Sequence, residues 1–128
     1  MDQISNLIIQ IKNAGNAGHE SIVSSYSKLK HAIAETLKKE GFVKDVEMRT
    51  EKGKKMLAIT LFMENRVPKI KGVQRISKPS KRIYKKASEM RAVKNGYGAL
   101  VVSTSAGVMS GREAKKAKLG GEALFSIW

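Results

Sequence analysis

Ala99-Leu100-Val101-Val102-Ser103-Thr104-Ser105-Ala106-Gly107-Val108-Met109 is the stretch around which the rest of the chain can be arranged. Its four leading apolar residues read as a short buried strand. The three hydroxyls and the glycine behind them read as a polar contact loop on that rigid base. Each hydroxyl both donates and accepts a hydrogen bond, so the row matches base edges, ribose hydroxyls and phosphate oxygens. Gly107 lacks the side chain that would hold a partner's backbone away. Downstream, Ser110 and Glu113 have the spacing of a capping box and start a helix that Gly120 is expected to end. A final strand is expected over residues 122–128.

Working back toward the amino terminus, Ile4, Leu7, Ile8 and Ile11 recur at i, i+3, i+4 and i+7. They predict an amphipathic helix over residues 2–15, with Asp2 as its cap and Gly15 at its end. A short extended piece follows near Ser21-Ile22-Val23. Ser27 can cap a second helix lined by Leu29, Ala32, Ile33 and Leu37, with Gly41 as its left-handed exit and Lys28, Lys30, Lys38 and Lys39 on its outer face. Residues 42–50 and 55–62 are strand-like and flank Glu51-Lys52-Gly53-Lys54, which suits a hairpin.

The order is that of an α+β protein with two small subdomains. An amino-terminal α-β-α-β-β unit covers residues 1–63, residues 64–68 link, and a mainly antiparallel β unit with a short helix covers residues 69–128.

Charge narrows the choice of partner. Over 128 residues, 25 Lys and Arg face 11 Asp and Glu, for a net +14. That imbalance calls for a polyanion, and nucleic acid leads. Residues 66–94 alone hold eleven basic residues against Glu89, a run punctuated by apolar residues and Pro79 and therefore expected to be a folded basic face. Uninterrupted apolar runs such as residues 99–102 fall far short of the roughly 20 residues that cross a bilayer, and the first helix lacks the basic face of a surface anchor. No membrane partner is expected. Without cysteine there is neither a disulfide nor a thiolate metal site. His19 and His31 have no spaced partner ligands, so no metal or other cofactor is expected. The amino terminus shows no basic segment followed by an apolar stretch, and a cytoplasmic protein is expected.

A serine nucleophile needs a base and an orienting group, whereas both histidines lie in the first quarter of the chain and the Gly-x-Ser-x-Gly elbow is missing. No enzyme is expected. Glu122 comes within range of the hydroxyl loop if the closing strand runs beside residues 99–102, where it can accept from a base amino group or fix a neighbouring arginine. Tyr84, after Lys81 and Arg82, can stack on a base or pack inward. Without an aromatic platform, structured RNA fits better than single strands. No helix concentrates Arg, Asn and Gln for reading a DNA major groove.

Ile11-Lys12-Asn13-Ala14, Ser27-Lys28-Leu29-Lys30, Glu40-Gly41-Phe42, Ile76-Ser77-Lys78-Pro79 with Arg82-Ile83-Tyr84, the stretch from Gly98 through Met109, and Gly120-Gly121-Glu122 with Trp128 together resemble the bacterial small-subunit ribosomal protein eight family almost end to end. The resemblance implies a two-domain α+β protein of the small subunit. It would bind an irregular helix in the central domain of small-subunit rRNA, support subunit assembly and sit among neighbouring ribosomal proteins. Such proteins can also bind their own operon's messenger, and a translational regulator acting on mRNA outside the ribosome is the alternative. Carried over by position, Ser103, Thr104, Ser105, Gly107, Gly121 and Glu122 are the core RNA contacts, joined by Tyr84, Lys81, Arg82, Asn13, Lys28 and Lys30. The chain departs from the family pattern at Gln10 and Lys12, where arginines are usual, and at Ser25, Ser80, Ala106 and Gly111.

Overall fold

The computed structural model describes residues 3–64, 67–68, 70–91, 93 and 98–128. Asp2, Arg66, Lys69, Lys94 and the expected bend at Asn95-Gly96-Tyr97 lie outside the described residues. The fold is α+β and divides into two compact units, Met1–Ile70 and Lys71–Trp128.

In the first unit, α1 (Gln3–Asn16) buries Ile4, Leu7, Ile11 and Ala14, while Ile8 is half-buried. The helix runs past Gly15. Its exit is Gly18, at φ +76°, where the Gly18 N–H reaches the Gly15 carbonyl and the His19 N–H that of Ala14. After β1 (Ser21–Ser25), α2 (Lys28–Lys39) starts from Ser27, whose hydroxyl accepts from the Lys30 N–H at 3.0 Å. It ends through Gly41 at φ +83°, with Phe42 N–H bonded back to Leu37. Ile33, Ala34 and Leu37 are buried on its inner face. Strands β2 (Val43–Glu51) and β3 (Lys54–Leu61) form an antiparallel hairpin. Lys52 and Gly53, both at positive φ, make the two-residue turn that matches strand twist. The sheet order is β1-β3-β2, and central β3 packs Leu57, Ile59 and Leu61 into the core. Of the expected link, Glu64, Val67 and Pro68 take part in a two-residue ladder between β4 (Met63–Glu64) and β5 (Val67–Pro68).

The second unit is built on β10 (Gly121–Ile127), which pairs with β8 (Ala99–Thr104) on one side and with β6 (Val73–Arg75) and β7 (Tyr84–Lys85) on the other. Strand β9 (Gly107–Ser110) extends the sheet beyond β8, and α3 (Gly111–Lys116) follows it. Leu124 is the extra residue of a β-bulge, and its carbonyl accepts from the N–H groups of both Ile76 and Ser77. Met90, Leu100, Val102, Ala114 and Ala123 form a buried cluster between sheet, helix and a short 3-10 turn at Ala87–Glu89. The basic stretch is folded across the described residues, with Pro79 in the turn between β6 and β7.

One expectation at α3 needs correcting. Ser110 caps it as expected, accepting from the Glu113 N–H at 3.1 Å, but the helix stops at Lys116, capped by Ala117, and the left-handed exit is Lys118 rather than Gly120. Lys118 adopts φ 58°, with its own N–H on Lys115 and Leu119 N–H on Ala114. A lysine held left-handed carries a steric cost that glycine avoids. Lys118→Gly should therefore stabilise the protein by about 0.5–1 kcal/mol in urea unfolding, whereas Gly41→Ala should cost about 1 kcal/mol.

Candidate nucleic-acid interface

The hydroxyl stretch is a hairpin rather than a loop. Ser103 and Thr104 belong to β8, Ser105 and Ala106 make the turn, and Gly107 opens β9 opposite Thr104. A strand points successive side chains to opposite faces, so Ser103 and Thr104 cannot present their hydroxyls side by side. Thr104 faces inward on its own hairpin. Its Oγ1 donates to the Gly107 carbonyl at 2.8 Å and accepts from the Ala106 N–H at 3.1 Å, which closes the turn. Among the described residues no partner occupies the hydroxyls of Ser103 and Ser105. Gly107 sits at φ +117°, and a Cβ there would meet nothing within 4 Å.

Cross-strand register assembles the rest. Val108 stands opposite Ser103, Ser103 opposite Glu122, and Glu122 opposite Tyr84. Directly opposed residues project to the same face, so these four form one row across β9, β8, β10 and β7. At about 4.8 Å per strand, the row spans roughly 14 Å. Tyr84 is 68% exposed, the most open large aromatic side chain described. The Glu122 side chain is only 18% exposed and holds Oε1 at 3.9 Å from Arg82 Nη1. Glu122 thus both faces the hydroxyl of its neighbour and orients an arginine.

Gly121 makes that register possible. A Cβ on it would overlap the Ser103 carbonyl oxygen and lie 3.1 Å from Thr104 Cγ2. Gly120 passes the Lys85 carbonyl less tightly, at 2.9 Å for a Cβ. The glycine pair serves close strand approach. Lys81 and Arg82 are held by a turn in which Lys78 and Lys81 exchange backbone hydrogen bonds. Ser77, fully buried, braces that turn by accepting from the Ile83 N–H at 2.9 Å and donating to the Ile83 carbonyl. Sequence reasoning missed Ser77, although a serine two residues before a proline and six before an apolar residue is a turn signal.

The first unit holds the remaining residues. Asn13 on α1 and Lys28 on α2 are exposed. Lys30 is not on the outer face as expected: it is 5% exposed, with Nζ at 3.1 Å from both Ser24 Oγ and Ser25 Oγ and 3.4 Å from the Ser25 carbonyl. Three oxygens match the three donors of an ammonium, which is what allows it inside. Ser25 supplies two of them. No cluster of metal-binding side chains and no helix long and apolar enough to cross a membrane occurs among the described residues.

Residues 2–128 match the family model described as Ribosomal protein S8. The chain is 45% identical to the small ribosomal subunit protein uS8 of Heliobacterium modesticaldum, 44% to that of Caldanaerobacter subterraneus and 39% to that of Mycoplasmopsis synoviae. In each case the likeness covers 99% of this chain and 97% of the relative.

Gly121 and Gly107 should respond differently to substitution. Gly121→Ala should destabilise the fold by about 1–3 kcal/mol through overpacking at the strand pair. Gly107→Ala should cost about 1 kcal/mol of local strain while leaving the β8–β10 amides protected in hydrogen exchange.

Proposed function

Because the chain belongs to the ribosomal protein S8 family and is a structural, non-enzymatic constituent of the small ribosomal subunit, we propose that it binds small-subunit rRNA directly, at an irregular helix of the central domain, and supports subunit assembly in the cytoplasm. The observation that carries the proposal is the row Tyr84, Glu122, Ser103 and Val108, flanked by exposed Lys81 and Arg82.

The row offers hydroxyl, carboxylate and ring at fixed spacing on a rigid sheet. Ser103 and Ser105 donate or accept at base edges and ribose hydroxyls, and Tyr84 lies against an unstacked base. Glu122 takes an amino group and keeps Arg82 aimed. Thr104, Gly107 and Gly121 shape the hairpin that presents them. Lys81 contributes to affinity through phosphate, as Lys28 and Asn13 do from the first unit. Lys30 holds the corner between β1 and α2 in place for Lys28. Its family also gives it neighbouring ribosomal proteins as partners. A messenger of its own operon folded like the rRNA site would meet the same face.

Selectivity and affinity separate in filter binding to a central-domain rRNA transcript and to a random duplex. Ser103→Ala with Ser105→Ala should weaken the cognate complex by about 1–3 kcal/mol and leave the salt slope unchanged. Equal loss on the random duplex would refute that division. Lys81→Ala should weaken both complexes alike and reduce the salt slope by about one.

A further inference from the structure

One face of α2 in the first unit carries a group of side chains of which the rRNA proposal uses only Lys28. Lys28, His31, Ala32 and Glu35 recur at i, i+3, i+4 and i+7, and Tyr26 folds against them from the preceding corner, its backbone N–H on the Lys55 carbonyl. Together they line an open cleft of 310 Å³. The rings of Tyr26 and His31 meet edge to face, with centroids 5.6 Å apart at 73°. Tyr26 Oη lies 3.4 Å from His31 Nδ1, and His31 Nε2 lies 3.4 Å from Glu35 Oε1. A neutral imidazole suits both contacts, donating from Nε2 to the carboxylate and accepting from the phenol at Nδ1. This chain of contacts fixes both rings and the carboxylate. Glu35 Oε2 has no donor among the described residues, and Lys55 Nζ stands 5.9 Å over the Tyr26 ring.

We propose that this cleft takes an unstacked guanine of bound RNA. The lining offers two rings, aliphatic carbon and the half-exposed carboxylate of Glu35, with exposed Lys28 beside them for a phosphate. Guanine alone among the four bases presents two adjacent donors, N1–H and the exocyclic amino group, along one edge, and a carboxylate accepts such a pair in parallel. Uracil places a single N–H between two carbonyl oxygens that a carboxylate repels. Adenine and cytosine set an unprotonated ring nitrogen beside the amino group. The two rings supply the contact that a base removed from its stack requires.

The inference rests on the RNA-binding proposal, and the test separates the two. The chain has only two histidines, so His19 serves as an internal reference for His31 in ring-proton spectra of the intact protein. GMP should shift the His31 signals and leave His19 unmoved, UMP and inorganic phosphate should shift neither, and Glu35→Gln should weaken GMP by about tenfold. Equal shifts with all three would make the cleft a phosphate contact only, and no shift with GMP would leave it empty of base. Either result overturns the proposal. A chain that binds the rRNA transcript but ignores GMP loses this site alone. One that takes GMP but not the transcript loses the rRNA function.

Discussion

Gly121 and Ser103 lie so close across the β10–β8 pair that a single added carbon would overlap a carbonyl oxygen. Everything at the proposed interface depends on that approach. Strand β10 has partners on both sides, and its first residues set the positions of β8 and β7 together. If the pair were forced apart or slipped by one residue, Glu122 would leave the face it shares with Ser103 and Tyr84, since a one-residue slip inverts every side chain. The bulge at Leu124 protects the register from the other end. Its carbonyl takes two N–H groups, which ties β10 to Ile76 and Ser77, just past β6, at a point where the regular β10–β8 ladder is interrupted.

Cationic side chains and shaped groups are placed by different means. Lys81 and Arg82 sit on a turn closed by buried Ser77, so their backbone is fixed while their heads reach solvent. Long, exposed lysines suit phosphate, which asks only for charge nearby. The hydroxyl of Ser103 and the carboxylate of Glu122 stand instead on strands, where position is set to within the geometry of the ladder. Thr104 contributes in a third way, with its hydroxyl given to the backbone of the turn. A two-residue connection with an alanine at its tip has little intrinsic preference for one shape, and the Thr104 bonds supply that preference.

Much of this was legible in the residues. The helix of Ile4, Leu7 and Ile11, the caps at Ser27 and Ser110, the hairpin around Lys52-Gly53 and the closing strand all follow from local chemistry and apolar spacing. Strand β9 escaped because Gly107-Val108-Met109 is too short for a period and begins with a glycine that reads as loop. Gly15 and Gly120 were poor guides to helix ends, because the last turn is decided by which carbonyls find donors, and Gly18 and Lys118 provided those conformations. The pairing of β10 with β8 could be anticipated only conditionally, and the alternation that separates Ser103 from Thr104 becomes visible once the strand is known to continue past Val102. The cleft of Tyr26, His31 and Glu35 left no sequence signal, since polar residues at helical spacing read as a solvated face.

Net charge by itself overstates what a polyanion can meet. Lys30 stands within a basic run yet lies inside, where three oxygens offset the loss of its water. Lys38 pairs with Asp45, Arg49 with Glu47 and Arg82 with Glu122, so part of the formal +14 is answered locally. Lys78, Lys81, Lys115, Lys116 and Lys118 are exposed and have no acidic partner among the described residues. All five belong to the second unit, the one that carries the hydroxyl hairpin. Exposed pairs lose little when a phosphate displaces one partner, because they are weak to begin with. The larger gain comes from cations that have no partner in the free protein, and both units present them, the first through exposed lysines such as Lys12, Lys28, Lys39 and Lys44.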